Sequence, residues 1–158
     1  MELEIVGLGR MGGNMVRRLL QGGHRVIAHN RSPEPIREAE AAGAIGAYTP
    51  EEVVHHLQPP RVIWIMVPAG DPTEHMIETF RPLLSPGDIL IDGGNSYWKD
   101  SVRRAERLRQ DGIRFLDVGT SGGIWGLEYG YCLMIGGDEE AFKLVEPAFQ
   151  TLAPQDGY

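Results

Sequence analysis

Cysteine is nearly absent from the sequence, and long apolar runs are missing. The single cysteine, Cys132, excludes an internal disulfide and a multi-cysteine metal site. Because it lies in the apolar segment 131–135, we expect a small core residue rather than a nucleophile. No apolar run approaches the ~20 residues that cross a bilayer, and no signal-peptide pattern precedes Glu2. We therefore expect a cytoplasmic protein without a membrane partner.

Basic residues are also sparse. The formal net charge is −7, and no run of lysine and arginine is long enough to predict a nucleic-acid surface. An anionic ligand would have to be held locally, by backbone amides, a helix N-terminus and one or two arginines. His55 and His56 are neighbours on a presumed helix and point apart, which makes a poor metal pair. We expect neither a nucleic-acid partner nor a bound metal.

Short apolar segments alternate with longer segments of helical periodicity along the chain. This alternation predicts an α/β fold with a doubly wound, mostly parallel sheet and helices on both faces. The predicted strands are Leu3–Val6, Arg25–Ala28, Val62–Val67, Asp88–Ile91, Phe115–Val118 and Tyr131–Ile135. The predicted helices are Met11–Leu20, Glu34–Ala42, Thr73–Leu83, Ser101–Gln110 and Glu139–Phe149. Residues 154–158 look like a loop leading to another element, so we expect the first part of a longer polypeptide.

A glycine-rich segment, Gly7-Leu8-Gly9-Arg10-Met11-Gly12, fits the pattern G-x-G-x-x-G between the first strand and the first helix. In that context the pattern predicts a dinucleotide-binding loop of the Rossmann type. Gly7 would permit the tight turn, Gly9 would let the backbone approach a pyrophosphate, and Gly12 would let helix and strand pack closely. The helix N-terminus would offer free amides and a partial positive charge to the phosphates. The alternative is a glycine-rich turn without a ligand.

The end of the second strand indicates which nucleotide is bound. An acidic residue about 20 positions after the loop would bind the ribose 2′-hydroxyl of NAD. The sequence has His29-Asn30-Arg31-Ser32 there and no carboxylate. Arg31 could instead pair with the 2′-phosphate of NADP, helped by Asn30 and Ser32. We predict NADP as the cofactor, with NAD as the alternative. If Arg31 is only a solvated surface residue, the sequence indicates no preference for NADP.

Three further segments follow successive strands, at the edge where open α/β sheets bind their ligands. Together they predict one site in which a ligand can approach the backbone closely. Asn95 and Ser121 would supply hydrogen bonds without charge, and Gly122 and Gly123 would supply backbone amides. Taken separately, each segment could be a plain turn, and Asn95 could cap the next helix. The segments are Val67-Pro68-Ala69-Gly70, Asp92-Gly93-Gly94-Asn95-Ser96 and Gly119-Thr120-Ser121-Gly122-Gly123.

Taken together, these motifs resemble 6-phosphogluconate dehydrogenase. Segments 118–126 and 130–137 resemble the shorter bacterial branch of that family in particular. The related 3-hydroxyisobutyrate dehydrogenases share the first loop and the Ser-Gly-Gly, but they normally lack the Asp-Gly-Gly-Asn-Ser block. The resemblance rests, in chain order, on the first glycine loop, Asn30-Arg31-Ser32, Ile91-Asp92-Gly93-Gly94-Asn95-Ser96 and Ser121-Gly122-Gly123.

The resemblance implies a reaction and a set of binding residues. The family oxidises a hydroxyl of 6-phosphogluconate by hydride transfer and then releases CO₂ and ribulose 5-phosphate, a step of the pentose phosphate pathway. Because members of the shorter branch often prefer NAD, that cofactor stays open. The implied substrate-binding residues are Asn95, Ser121, Gly122 and Gly123. The implied cofactor-binding residues are Gly7, Leu8, Gly9, Arg10, Met11, Gly12, Asn30, Arg31, Ser32, Val67, Pro68, Ala69 and Asn95.

The sequence departs from the family in one respect. The family's catalytic lysine, the His-Asn pair after it and an acidic proton donor lie in a helical second domain, and no matching motif is found here. The only lysines, Lys99 and Lys143, lie in other contexts. We therefore expect residues 1–158 to form the cofactor-binding domain, inactive alone, with the general base and acid beyond residue 158 and a homo-oligomeric full-length protein. The alternatives are a β-hydroxyacid dehydrogenase domain and a non-catalytic nucleotide-binding module.

Overall fold

The protein is built on one sheet, and the structure, a computed structural model, describes residues 1–157. Tyr158, the last residue of the predicted terminal loop, lies outside the described residues. The strands are β1 (Glu2–Val6), β2 (Arg25–His29), β3 (Ile45–Ala47), β4 (Val62–Ile65), β5 (Ile89–Asp92), β6 (Arg114–Ser121) and β7 (Cys132–Gly137). They form a 7-stranded sheet in the order β3-β2-β1-β4-β5-β6-β7. All neighbouring pairs are parallel except β6 and β7, which are antiparallel.

Helices cover both faces of this sheet. On α1, residues 12, 15, 16 and 19 are buried, the spacing of one helical stripe. One hydrophobic cluster packs α1 and α7 against one face, and a second cluster packs α3, α4 and α5 against the other. None of the helices within residues 1–157 is long and apolar enough to cross a membrane. The helices are α1 (Arg10–Gln21), α2 (Pro33–Ala41), α3 (Pro50–His56), α4 (Asp71–Phe80), α5 (Trp98–Gln110), α6 (Gly126–Tyr129) and α7 (Glu139–Leu152).

The strand order confirms the predicted Rossmann-type, doubly wound fold. Strand β1 lies between β2 and β4, so the chain turns one way across the sheet after β1 and the other way after β3. A crevice opens at the carboxyl end of β1 where this order reverses, which is the usual ligand position in open α/β sheets. The loops that follow β1, β2, β4 and β5 therefore meet at one edge.

Strand β3 was not predicted from the sequence. Strand β3 has only three residues, too few to show an alternating pattern. The helix presumed around His55 is α3, and Thr49 caps it by accepting a hydrogen bond from the Glu52 amide at 3.2 Å. These two elements complete the half of the fold that begins at β1.

Two predicted boundaries near the glycine segments were wrong. Strand β6 continues to Ser121 instead of ending at Val118, because it pairs with β7 along its whole second half. Helix α5 begins at Trp98, and its N-cap position is Tyr97. The interpretation of Asn95 as a helix cap was therefore wrong, since it lies two residues before that cap.

The prediction that Cys132 is a core residue was also wrong. Cys132 is exposed, and the buried residue is its neighbour Tyr131. Side chains alternate along a strand, and Leu133 and Ile135 of β7 pack against the cluster formed with α1 and α7. Cys132 and Met134 consequently point to the opposite face, where both are exposed.

Candidate functional site

The glycine-rich loop between β1 and α1 is packed tightly against the end of β4. Gly7 has a φ of +91°, a conformation that favours glycine. A Cβ on Gly7 would collide with the carbonyl oxygen of Met66, and a Cβ on Gly12 would collide with the carbonyl oxygen of Gly7. The chain can therefore turn sharply here and bring the start of α1 close to the sheet only because both residues lack a side chain.

The middle glycine faces open space instead. Gly9 is exposed, and a Cβ placed on it would meet nothing within 4 Å. It is the N-cap residue of α1, contributes no side-chain hydrogen bond, and is followed by a first turn without acidic residues. The first three amides of α1, those of Arg10, Met11 and Gly12, have no intrahelical partner, whereas the Gly13 amide donates to the Gly9 carbonyl. Free amides and the positive end of the helix dipole beside an open backbone surface fit a pyrophosphate.

Asn30 joins the end of β2 to the glycine loop. Its Oδ1 accepts a hydrogen bond from the Leu8 amide at 2.9 Å, and its Nδ2 donates to the Ser32 carbonyl at 3.2 Å and hydroxyl at 3.1 Å. The backbone adds a second link, because the Gly7 amide donates to the carbonyl of His29 at 2.9 Å. The glycine loop and the segment after β2 therefore lie together, and the side chain of Asn30 holds them in place.

Arg31 is exposed at the same edge. Among residues 1–157 its guanidinium forms no hydrogen bond or ion pair, so its donors remain free. Ser32 occupies the N-cap position of α2, and its side chain leaves the helix amides uncapped. The end of β2 therefore presents an unpaired cation and a hydroxyl beside a helix N-terminus, whose first turn also carries Glu34.

The segment Val67-Pro68-Ala69 borders the glycine loop from the other side. The Met66 amide donates to the Val6 carbonyl at 2.7 Å, which fixes the end of β4 beside β1. The Thr73 hydroxyl donates to the Pro68 carbonyl at 2.9 Å and shapes the turn into α4. Pro68 and Ala69 are exposed at the crevice edge.

Asn95 links the turn after β5 to the end of β6. It adopts a φ of 55°, a left-handed conformation that is uncommon for a residue other than glycine. Its Oδ1 accepts a hydrogen bond from the Thr120 amide at 3.1 Å, and its Nδ2 donates to the Thr120 carbonyl at 3.4 Å. The Asp-Gly-Gly-Asn-Ser turn and the Ser-Gly-Gly segment are brought together by this one side chain.

A groove of about 630 Å³ opens beside Asn95. It runs over the face of β6 and β7 that carries the exposed Met134, so its floor combines backbone and apolar side-chain surface. Its lining residues are Asn95, Ser96, Asp117, Gly119, Met134, Ile135 and Gly136.

The Ser-Gly-Gly segment lies at the end of β6, over a buried ring. Ser121 is exposed as the last residue of the strand. A Cβ on Gly122 would lie 2.8 Å from Cδ1 of Tyr131, so the backbone passes directly over that ring. Gly123 has a φ of +52°, is exposed and begins a short 3₁₀ turn. The backbone here is approachable because neither glycine covers it.

Arg104 is a central residue of this region that was not predicted from the sequence. It lies within the predicted helix Ser101–Gln110, where nothing set it apart, yet its side chain is 2% exposed. Arg104 pairs with the buried Asp92 at 3.1 Å and with Glu74 at 2.8 Å. Glu74 also pairs with Arg103, and that hydrogen bond is the largest cause that lowers the pKa of Glu74 to about 2. Only a helical-wheel comparison of the arginines of α5 could have singled out Arg104.

Metal-binding and lysine side chains contribute little to the site. Within residues 1–157 no group of three or more histidine, cysteine, aspartate or glutamate residues could hold a metal ion. Lys143 pairs with Glu139 at 2.9 Å on α7, and the Nζ of Lys99 lies 5.5 Å from the centre of the Trp98 ring. Each lysine is engaged on its own helix.

Comparison with known proteins identifies the family. Residues 2–156 match the family model described as the NAD binding domain of 6-phosphogluconate dehydrogenase. The chain belongs to this family. It is 42% identical over 153 residues to the NAD(+)-dependent, decarboxylating 6-phosphogluconate dehydrogenase of Haloferax volcanii, covering 97% of this chain and 50% of that protein. The chain spans 32% to 53% of the length of the first curated relatives that it matches.

Solved structures agree with this placement. The Plasmodium falciparum 6-phosphogluconate dehydrogenase, solved in its apo form, with NADP⁺ and with 6-phosphogluconate, superposes with a TM-score of 0.90 at 28% identity. That match covers 99% of this chain and 35% of the other. The 3-hydroxyisobutyrate dehydrogenase of Mycobacterium tuberculosis, solved with L-serine, gives a TM-score of 0.86 at 25% identity, covering 96% of this chain and 52% of that one.

Proposed function

We propose that this chain is the NADP-binding domain of an oxidoreductase that oxidises and decarboxylates 6-phosphogluconate. The observation that carries the proposal is the pair of hydrogen bonds between Asn95 and Thr120. These hydrogen bonds join two segments. One is the Asp-Gly-Gly-Asn-Ser turn, which carries part of the family resemblance, and the other is the end of β6, which carries Ser121. A ligand at the crevice could therefore contact both loops at once.

The cofactor would lie across the carboxyl end of β1. Its pyrophosphate would bind the leading amides of α1 over Gly9, where no side chain intervenes. Its adenosine half would extend toward β2, where the unpaired guanidinium of Arg31 suits a 2′-phosphate. Its nicotinamide half would extend toward Val67-Pro68-Ala69 and Asn95. When bound, the nicotinamide accepts a hydride from the substrate carbon.

The substrate would lie between Asn95 and the Ser-Gly-Gly segment. The amide of Asn95 and the hydroxyl of Ser121 orient hydroxyl and carboxylate groups without adding charge. The exposed backbone at Gly123, where a Cβ would meet nothing within 4 Å, permits a close approach of the substrate. These residues bind and orient the substrate, and the general base and general acid are not assigned to any of them.

The reaction is tested with the longest natural polypeptide that contains this sequence. We expect 6-phosphogluconate to yield CO₂ and reduced cofactor, and Ser121→Ala to lower kcat/KM by about tenfold through the loss of one substrate hydrogen bond. A matched control is Ser85→Ala, which removes a hydroxyl from the far end of the sheet and leaves turnover unchanged. Turnover of gluconate equal to that of its 6-phosphate would contradict the proposed substrate.

A second candidate is a dehydrogenase for a small unphosphorylated β-hydroxyacid. It is favoured by the likeness to the 3-hydroxyisobutyrate dehydrogenase structure. The two candidates differ in one measurement, because only the second predicts reduced cofactor from 3-hydroxyisobutyrate without release of CO₂. The Asp-Gly-Gly-Asn-Ser turn supports the first.

A further inference from the structure

Two arginine–aspartate pairs, each with a buried aspartate, hold opposite ends of β4 and β5. At the amino ends, Arg61 donates to Asp88 from its backbone amide at 2.8 Å and from Nη1 at 3.2 Å. At the carboxyl ends, Nη1 of Arg104 donates to Asp92 at 3.1 Å. Both aspartates are fully buried. The two pairs are alike in chemistry, but only the second one lies among the loops of the candidate site.

The guanidinium of Arg104 contacts four separate parts of the framework. Besides Asp92 at the end of β5, it donates to the hydroxyl of Ser96 at 3.2 Å and to Glu74 of α4 at 2.8 Å. Its Nη2 lies 3.5 Å from the carbonyl of Gly70, in the loop after β4. A planar guanidinium with several fixed donors can make these contacts at once, whereas a lysine ammonium on a flexible chain would not.

The residues on either side of these contacts are the ones proposed to bind the cofactor. Ser96 follows Asn95, whose left-handed backbone is a conformation that persists only when its surroundings hold it. The other carboxylate oxygen of Asp92 accepts the Gly94 amide at 2.8 Å, so the turn is held from its first residues as well. Gly70 follows Val67-Pro68-Ala69 directly.

We infer that Arg104 is a positioning residue for the nicotinamide half of the cofactor. It fixes the turn 93–97 relative to the loop 67–70, and so sets the gap in which that half of the ligand lies. This inference rests on the proposed function. The strand order places β4 and β5 on one side of β1 and β2 on the other, so Arg104 and Arg31 act on opposite halves of the dinucleotide.

The test compares a whole ligand with a half ligand. Calorimetric titrations of this chain use NADP and adenosine 2′,5′-bisphosphate, which lacks the nicotinamide half. Arg104→Lys keeps the charge beside Asp92 but loses the planar set of guanidinium donors. We expect it to weaken the binding of NADP about tenfold and to change the affinity for the bisphosphate by no more than about twofold. The matched control, Arg61→Lys, perturbs the other arginine–aspartate pair and leaves both affinities unchanged. A merely structural role for Arg104 would move both ligands together or neither.

A second variant covers the case in which Arg104→Lys does not fold. Ser96→Ala removes only the hydroxyl contact and is expected to weaken NADP about threefold without affecting the bisphosphate. Equal losses for both ligands, or no loss of NADP, in the folded variants would overturn the inference while leaving the proposed function intact. Failure of the unsubstituted chain to bind either ligand would overturn the proposed function and this inference with it.

Discussion

Asn30 holds the glycine loop, because its Oδ1 accepts a hydrogen bond from the Leu8 amide at 2.9 Å. The side chain that the sequence motif assigns to the ligand is thus also part of the protein's own framework. The Leu8 amide is correspondingly used within the protein, which leaves the amides that start at α1 for a phosphate. The position of the loop relative to β2 depends on this contact.

Asn30→Ala is predicted to weaken NADP and NAD alike, by about fivefold to tenfold, because the Leu8 amide loses its acceptor and the loop is released. Asn30→Asp keeps an acceptor but adds a negative charge beside the proposed 2′-phosphate. It should therefore weaken NADP much more than NAD. Calorimetric titration of both variants with both nucleotides measures the difference, and unchanged affinities for Asn30→Ala would show that the contact is dispensable.

The glycines of the loop should separate binding from stability. Gly9→Ala places a methyl group in open space, so the fold should keep its thermal midpoint while dinucleotide binding is lost. Gly12→Ala forces a Cβ into the Gly7 carbonyl and should lower the free energy of unfolding by at least about 1–3 kcal/mol. Urea unfolding and calorimetry on the same preparations check both. Tight cofactor binding by Gly9→Ala would contradict the placement of the pyrophosphate.

Glu4 should make the protein less stable as the pH rises. Its carboxylate is fully buried with no hydrogen-bond partner, and along the sheet its row consists of Ile27, Ile63, Leu90 and Phe115. Burial raises the pKa of Glu4 well above its ordinary value. Since the folded state holds the proton more tightly than the unfolded chain, stability is complete below the ordinary pKa and falls as the pH rises toward the raised pKa.

Glu4→Gln should remove that decline, and Glu4→Met should raise the free energy of unfolding at neutral pH by about 1–3 kcal/mol. Urea unfolding at a series of pH values above the ordinary glutamate pKa measures the slope. The same pH dependence in the wild-type chain and in Glu4→Gln would show that another group is responsible.

Glu74 should have the opposite effect. The hydrogen bond from Arg103, followed by that from Arg104, lowers the pKa of Glu74 to about 2. Its contribution is present above the ordinary glutamate pKa and is lost as the pH falls toward 2. In Glu74→Gln the acid-induced loss of stability should be shallower, whereas Glu51→Gln, at an exposed position of α3, serves as the control. An unchanged acid limb in Glu74→Gln would contradict the assignment.

The sequence predicted the features of the site that depend on local pattern, the glycine loop above all. Gly7, Gly9 and Gly12 stand at fixed spacing between an apolar strand and an amphipathic helix, so their loop could be placed without any distant contact. The role of Arg104 could not be predicted, since its partners Asp92 and Glu74 come from other elements. Cys132 was misplaced for a similar reason. Its apolar neighbours predicted burial, but which face of β7 is covered is decided by the packing of α7.

The link between Asn95 and Thr120 was likewise beyond the sequence. Both residues were expected near the same edge, because parallel strands end there. That their loops are joined by direct hydrogen bonds depends on the left-handed backbone of Asn95, which no local pattern required.

Calorimetric titration decides whether this chain binds NADP through the glycine loop and Arg31. The chain and its Arg31→Ala variant are each titrated with NADP and with NAD under the same conditions. We predict tighter binding of NADP by the unsubstituted chain and loss of that preference in Arg31→Ala, with NAD affinity retained. Tighter binding of NAD by the unsubstituted chain, or an unchanged preference for NADP in Arg31→Ala, would contradict it.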